Sequence, residues 1–344
     1  MGFLLGLALL LGVLSIIMEE KSLQDDEWVQ NRNESEVDIM KEADDTVDVM
    51  LVGDSLIYTS ISPLQMYNDY GITAFDLCES QQQIQESCAI METAFYAQHP
   101  KVVILSASTL FLDDRGKNDF DIWMMERIFK AIPIVQYHDM WKPVLAKSYW
   151  VEEETYKGFI FRDIAVPYTG GEYMKAESAE EFSKYLASKK RRKPKLNPIA
   201  ENNLKHLKDM CDENGAKLIL IATPSPADWN SHKNLAVYEF AAANQIEFYD
   251  LNLQLDEVGI NWQYDSFDGG EHLNLLGAQK VTRYVEQEIL KMPCDEESGA
   301  DDASENSNTY NLKDHRNQPG FEEWDKISKE YGEKEKEVWN RLVQ

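Results

Sequence analysis

Val-Asp-Val-Met-Leu-Val-Gly-Asp-Ser, residues 47–55, is an apolar run that breaks off at Gly53-Asp54-Ser55. A short apolar run closed by a turn signal reads as a buried strand, and the serine then stands at its carboxyl end. Four further runs of the same kind follow, at residues 73–77, 102–105, 218–222 and 247–251. Between and after them lie segments with helical patterning, at 82–98, 121–132, 233–244 and 275–290. Strands alternating with helices imply a parallel sheet covered on both faces. In such sheets ligands sit beyond the carboxyl ends of the strands, which is where Ser55 falls.

Far downstream, residues 267–282 read Phe-Asp-Gly-Gly-Glu-His-Leu-Asn-Leu-Leu-Gly-Ala-Gln-Lys-Val-Thr. This block sets an acid and a histidine just ahead of a helix start at Leu273-Asn274. A serine hydroxyl is a poor nucleophile at neutral pH. It needs an imidazole within hydrogen-bonding reach and a carboxylate to fix the imidazole tautomer. Ser55, His272 and Asp268 supply those three roles in the order Ser…Asp…His, the chemistry of ester hydrolysis or acyl transfer. Taken singly the motifs are weak: Gly-Asp-Ser marks many ordinary strand-to-helix turns, and a lone histidine is more often a cap or a core residue.

The rest of the chain bounds the function. Its 344 residues and 43% hydrophobic content allow one large domain with appendages. With 34 basic against 61 acidic side chains, net −27, nucleic acid is excluded as the main ligand. One basic run, residues 189–195, stands against that balance as a solvated loop or a contact for anionic headgroups. Residues 2–18 are uninterruptedly apolar save one serine, a run only marginally long enough to cross a bilayer as a helix at about 1.5 Å per residue. No small-residue cleavage site follows, so the expectation is an uncleaved anchor over 1–18 with the domain outside the cell. An acidic linker is expected over 19–46 and the catalytic domain over 47–292. A long aromatic-bearing insertion is expected over 106–217, and an acidic linker with a terminal amphipathic helix over 293–344. The cysteines Cys78, Cys88, Cys211 and Cys294 show no metal-ligand spacing, and neither a metal nor an organic cofactor is required. Cys78 and Cys88 read equally as a disulfide or as small buried residues.

Gly53-Asp54-Ser55 after a first strand, with Asp268 and His272 followed by Leu-Asn and Gly277, resembles the SGNH or GDSL hydrolase superfamily. The resemblance implies a flavodoxin-like three-layer sandwich with a five-stranded parallel sheet, and a triad of Ser55, His272 and Asp268. Three features depart from the family pattern. The acid stands four residues before the histidine rather than three, which leaves Asp265 and Glu271 as competitors. After the second strand Cys78-Glu79-Ser80-Gln81-Gln82 replaces the family's glycine, and after the third Ser106-Ala107-Ser108-Thr109 replaces Gly-x-Asn-Asp. The oxyanion donors are therefore expected at the Ser55 backbone N–H, with Ser80 or Gln81 as weaker candidates. The N-terminal run, Tyr137-His138-Asp139-Met140-Trp141 and the late Asp314-His315-Arg316 segment resemble the envelope-tethered branch of that superfamily. Those members are similar to the D-alanine transfer protein of teichoic acid modification and to polysaccharide O-acetyltransferases. The resemblance implies acyl esters of a cell-surface polysaccharide or teichoic acid as substrate and a membrane-bound O-acyltransferase as partner. It also leaves His138 either near the site or packed structurally against Trp141.

Overall fold

A computed structural model describes residues 38–111, 154–163, 195–293 and 309–343, together with residues 2, 6, 7 and 9–14. The chain divides into two compact units, Met1–Glu34 with Asp114–Glu153 and Ser35–Asp113 with Glu154–Gln344. In the first, the described residues between 2 and 14 are helical. Among the described residues no helix is long and apolar enough to cross a membrane. The expected helix at 121–132, His138, the basic run up to residue 194, residues 19–37 of the linker and the acidic stretch 294–308 lie outside the described residues.

In chain order the second unit contains β1 (Val49–Gly53), α1 (Ser55–Tyr58), α2 (Pro63–Tyr70), β2 (Ala74–Cys78), α3 (Ile84–Ala94) and β3 (Val102–Ser106). The hairpin β4 (Glu154–Tyr156) and β5 (Phe159–Phe161) follows, then α4 (Pro198–Glu213), β6 (Lys217–Ala222), α5 (Ser231–Ala243) and β7 (Glu247–Asp250). The chain continues through α6 (Leu255–Val258) and α7 (Leu275–Tyr284) to α8 (Glu322–Val343). The five apolar runs of the sequence are the strands of one sheet, in the order β2-β1-β3-β6-β7, with every pairing parallel. The chain leaves β1 for β2 on one side and then crosses to β3 on the other. The carboxyl ends of β1 and β3 therefore flank the topological switch point, where open α/β sheets hold their ligands.

Successive residues of a strand point to opposite faces, and here both faces are apolar. Met50 and Val52 of β1 join Phe75, Leu77, Val103, Leu105, Leu218 and Leu220 under α3, α4 and α5. Val49 and Leu51 join Ala74, Val102, Ile104, Ile219 and Ile221 beneath α1, α2 and α7. The result is the three-layer α/β sandwich that the sequence pattern implies.

Besides the four-residue helices α1 and α6, two longer helices went unread in the sequence. In α2, Ser62 caps the N-terminus by accepting from the Gln65 N–H at 3.2 Å, Pro63 occupies the first turn, and Gly71 ends the helix in the left-handed region. In α4, Asn197 accepts from the Ala200 N–H at 2.7 Å and Pro198 follows. Leu204 and Leu207 of α4 are fully buried in the core against α3, so this end of the 106–217 stretch is part of the sandwich. The β4–β5 hairpin covers the edge of the sheet, with the Asp76 N–H of β2 donating to the Lys157 carbonyl at 3.1 Å. Helix α8 lies over α2 and the hairpin, burying Tyr331, Trp324 and Val338 against Tyr67, Tyr156 and Phe159. The Asp314-His315-Arg316 segment docks at the amino end of β1, where His315 Nε2 lies 2.9 Å from Asp48. That end is opposite to Ser55. Cys78, Cys88 and Cys211 are buried free thiols, which decides against a Cys78–Cys88 disulfide.

Candidate active site

Ser55 is the first residue of α1, immediately beyond β1. The chain turns there because Gly53 adopts φ +144°, and a Cβ on Gly53 would lie 2.4 Å from the Ser106 Cβ of β3. Only glycine permits that backbone and that approach. Asp54 caps α1 by accepting from the Leu56 N–H at 3.3 Å. At the first helical position the Ser55 N–H has no intrahelical carbonyl to reach.

The opposing loop is built around Ser266, which forms an antiparallel bridge with Leu273. Ser266 Oγ accepts from the Gly270 N–H at 2.9 Å, and it lies 2.8 Å from the His272 carbonyl and 3.2 Å from Asp268 Oδ1. Gly269 and Gly270, at φ +87° and +117°, take the chain through a tight reversal that side-chain-bearing residues resist. The reversal returns Asp268 to its own downstream neighbours. Asp268 Oδ1 accepts from the N–H groups of Glu271 (3.1 Å) and His272 (2.8 Å), while Oδ2 lies 2.6 Å from His272 Nδ1. On the far side of the ring, His272 Nε2 is 2.8 Å from Ser55 Oγ.

The protonation pattern follows from these contacts. Burial would raise the Asp268 carboxyl, but the hydrogen bonds from the His272 ring and backbone and from Glu271 outweigh it and hold the group below its ordinary 3.8. An ionised carboxylate only accepts, so His272 Nδ1 carries the proton and Nε2 turns its lone pair toward the Ser55 hydroxyl. Phe267 stacks on the imidazole with centroids 5.7 Å apart and planes 14° from parallel, and the Arg162 guanidinium lies 4.6 Å from the Phe267 centroid. The Leu275 N–H also donates to the Arg162 carbonyl at 3.0 Å, which ties the start of α7 to the hairpin.

Ser55, His272 and Asp268 thus come together from segments more than 200 residues apart. Asp265 takes another position: it is buried, 2.6 Å from Lys280 Nζ and 2.6 Å from the Asn261 N–H. Glu271 is exposed and meets Asp268 through its backbone. Among the described residues, Asp268, Glu271 and His272 form the one group whose ligand atoms lie within 4.8 Å of one another, as a metal site would need. Asp268 and His272 are already engaged with each other and with Ser55.

No family model matches the chain, and no curated protein matches it. Solved structures similar to it include these three. TesA is 12% identical with a TM-score of 0.35, over 70% of this chain and 96% of that one. A protein described as lipolytic and of the G-D-S-L family, from Desulfitobacterium hafniense, is 12% identical with a TM-score of 0.36, over 70% and 98%. The lipase/acylhydrolase from Enterococcus faecalis is also 12% identical, with a TM-score of 0.35, over 70% and 95%.

Ser80 and Gln81 lie exposed on the turn after β2, with Gln81 at φ +58°. His138 lies outside the described residues. Sequence reasoning missed two features of the site. The first is the Arg162–Phe267 stack, for which the linear sequence carries no signal. The second is a buried cluster of Asp54, Ser106 and Ser108, for which Ser-x-Ser at the end of the third strand was the available sign. Ser106 Oγ lies 2.9 Å from Asp54 Oδ1 and 2.7 Å from Ser108 Oγ, and Ser108 Oγ is hydrogen-bonded to Asp54 Oδ2.

Proposed function

We propose that this chain is a serine esterase or acyltransferase that works through a covalent acyl-serine. The observation that carries the proposal is the line from Ser55 Oγ to His272 Nε2 at 2.8 Å and from His272 Nδ1 to Asp268 at 2.6 Å. His272 removes the Ser55 proton as Oγ bonds to the ester carbonyl carbon, and Asp268 stabilises the imidazolium that results. Collapse of the tetrahedral intermediate breaks the ester C–O bond, and His272 returns the proton to the departing alkoxide. Water or a sugar hydroxyl then repeats the sequence on the acyl-serine. The Ser55 N–H, at the start of α1, supplies one oxyanion donor.

The proposed substrates are acetyl or D-alanyl esters on a cell-surface polysaccharide or teichoic acid, with a membrane-bound O-acyltransferase as partner. The apolar run at residues 2–18 would serve as the anchor that holds the domain outside the cell, and the acidic balance of the chain agrees with a ligand other than nucleic acid. The rival reading is an assembly protein that keeps the fold and binds polysaccharide without chemistry; the replaced glycine after β2 and the replaced Gly-x-Asn-Asp after β3 favour it, and the joined triad opposes it. A fluorophosphonate probe separates the two. Stoichiometric labelling of Ser55, absent in Ser55→Ala, is expected; an unlabelled folded protein would support the rival. Fractionation of the protein with and without residues 1–18 tests the anchor, which fails if both forms stay in the soluble fraction.

A further inference from the structure

Asp54 immediately precedes the nucleophile and is almost wholly buried between the ends of β1 and β3. Its two oxygens and the hydroxyls of Ser106 and Ser108 make a triangle of three oxygen–oxygen contacts: Ser106 to Asp54 Oδ1 at 2.9 Å, Ser106 to Ser108 at 2.7 Å, and Ser108 to Asp54 Oδ2. Three such contacts need three protons, and two hydroxyls supply two. With Asp54 ionised, at least one pair of oxygens would meet with no hydrogen between them. With Asp54 protonated, every contact is satisfied in one direction: Asp54 Oδ2–H donates to Ser108, Ser108 to Ser106, and Ser106 to Asp54 Oδ1. That oxygen also accepts the Leu56 N–H.

We propose that Asp54, Ser106 and Ser108 form a closed hydrogen-bonded ring in which Asp54 is a neutral carboxylic acid, locking β1 to β3 beside Ser55 without placing a negative charge there. The groups that face Asp54 agree with this state. Ser106 and Ser108 come from the end of β3 and the turn after it, Cys78 from the end of β2, and Asp228 from the loop after β6. None of these is a cation, and the Asp228 carboxylate itself lies 3.0 Å from Lys233 Nζ. Burial pushes the Asp54 carboxyl up from 3.8, the two serine hydrogen bonds oppose that rise, and the Asp228 charge adds to it.

Asp54 acts through its neighbours and is a positioning residue. A carboxylate beside Ser55 would oppose the negative charge that develops on the ester oxygen during attack, and a carboxylic acid does not. This bearing on rate rests on the acyl-serine mechanism proposed above, whereas the protonation state does not depend on it.

Infrared difference spectra of the full chain, wild type against Asp54→Asn at neutral pH in H2O and D2O, test the ring without any turnover. Loss of a deuterium-sensitive C=O band of a protonated carboxyl is expected on substitution. Loss of carboxylate stretching bands in its place overturns the proposal. Should Asp54→Asn fail to fold, the Ser106→Ala and Ser108→Ala variants keep Asp54 and remove its partners. Each should shift the same protonated-carboxyl band, and a band indifferent to both overturns the ring. A negative fluorophosphonate result at Ser55 with the band present would sink the esterase reading and leave the ring standing.

Discussion

Replacing Asp268 by asparagine separates the orienting acid from its nearest competitor. The carboxylate does two jobs at once: Oδ1 accepts from two backbone N–H groups of the 266–273 loop, and Oδ2 accepts from His272 Nδ1. An asparagine has one acceptor oxygen. With that oxygen kept on the loop, the NH2 faces Nδ1 and donates to it, so the proton moves to Nε2 and His272 can no longer accept from Ser55. With the amide flipped, the NH2 confronts two backbone donors and the loop that positions the ring loses its closure. Either outcome removes general-base catalysis, and the loss in kcat should be on the order of 10³- to 10⁴-fold, about 4–5.5 kcal/mol of barrier. Asp265→Asn is the control. It weakens a contact to Lys280, whose side chain is 36% exposed, and so should lower stability by about 1–3 kcal/mol while leaving kcat within about tenfold. Hydrolysis of p-nitrophenyl acetate by both variants, with circular dichroism as the check of folding, measures the contrast. A mild defect in Asp268→Asn beside a severe one in folded Asp265→Asn would refute the assignment.

Ser55→Ala and His272→Ala should each reduce turnover on the order of a thousandfold or more, and the double variant should be little worse than either, because the two residues act as a unit. Losses that multiply would place His272 outside the mechanism. Gly53→Ala should lower stability by about 2–5 kcal/mol in urea denaturation, because its Cβ would sit 2.4 Å from that of Ser106 at a backbone φ of +144°; an unchanged midpoint would contradict this. Glu286, buried in the π turn Val285–Ile289 at the end of α7, is pushed well above 4.5 by burial and then by the Asp69 charge, with Arg283 opposing. A carboxyl raised in the folded state gives its full stability below pH 4.5 and loses it as pH rises through the folded value. Glu286→Gln should therefore raise the melting temperature at neutral pH and cease to do so below pH 4.5, whereas a gain that persists in acid would show a different origin.

The sheet was legible in the sequence because a strand buried on both faces must be apolar at nearly every position, and five such runs leave no other place for themselves. The runs at 73–77 and 102–105 match β2 and β3 to within one residue at each end. Helices whose apolar positions are sparse were harder to see. In α4 only Ala200, Leu204, Leu207, Met210 and Cys211 are buried along 16 residues, and the segment follows a basic run that reads as loop. The terminal helix was legible as amphipathic, but its apolar face gives no indication of what it covers. The structure lays it on α2 and the β4–β5 hairpin through Tyr331 and Trp324.

At the site, the linear order of Ser55, Asp268 and His272 established the residue types needed for an activated hydroxyl, since those types follow from pKa and nucleophilicity alone. Which carboxylate meets the imidazole was a matter of local backbone geometry: two glycines at positive φ fold Asp268 back across four residues, while Asp265 is drawn away to Lys280. The pairing of Asp54 with Ser106 and Ser108, of which Ser-x-Ser was only a sign, and the stack of Arg162 on Phe267 were decided by the tertiary structure. Each joins strands or loops brought together by sheet order and hairpin docking, and a contact between segments distant in sequence leaves no periodic mark in either of them.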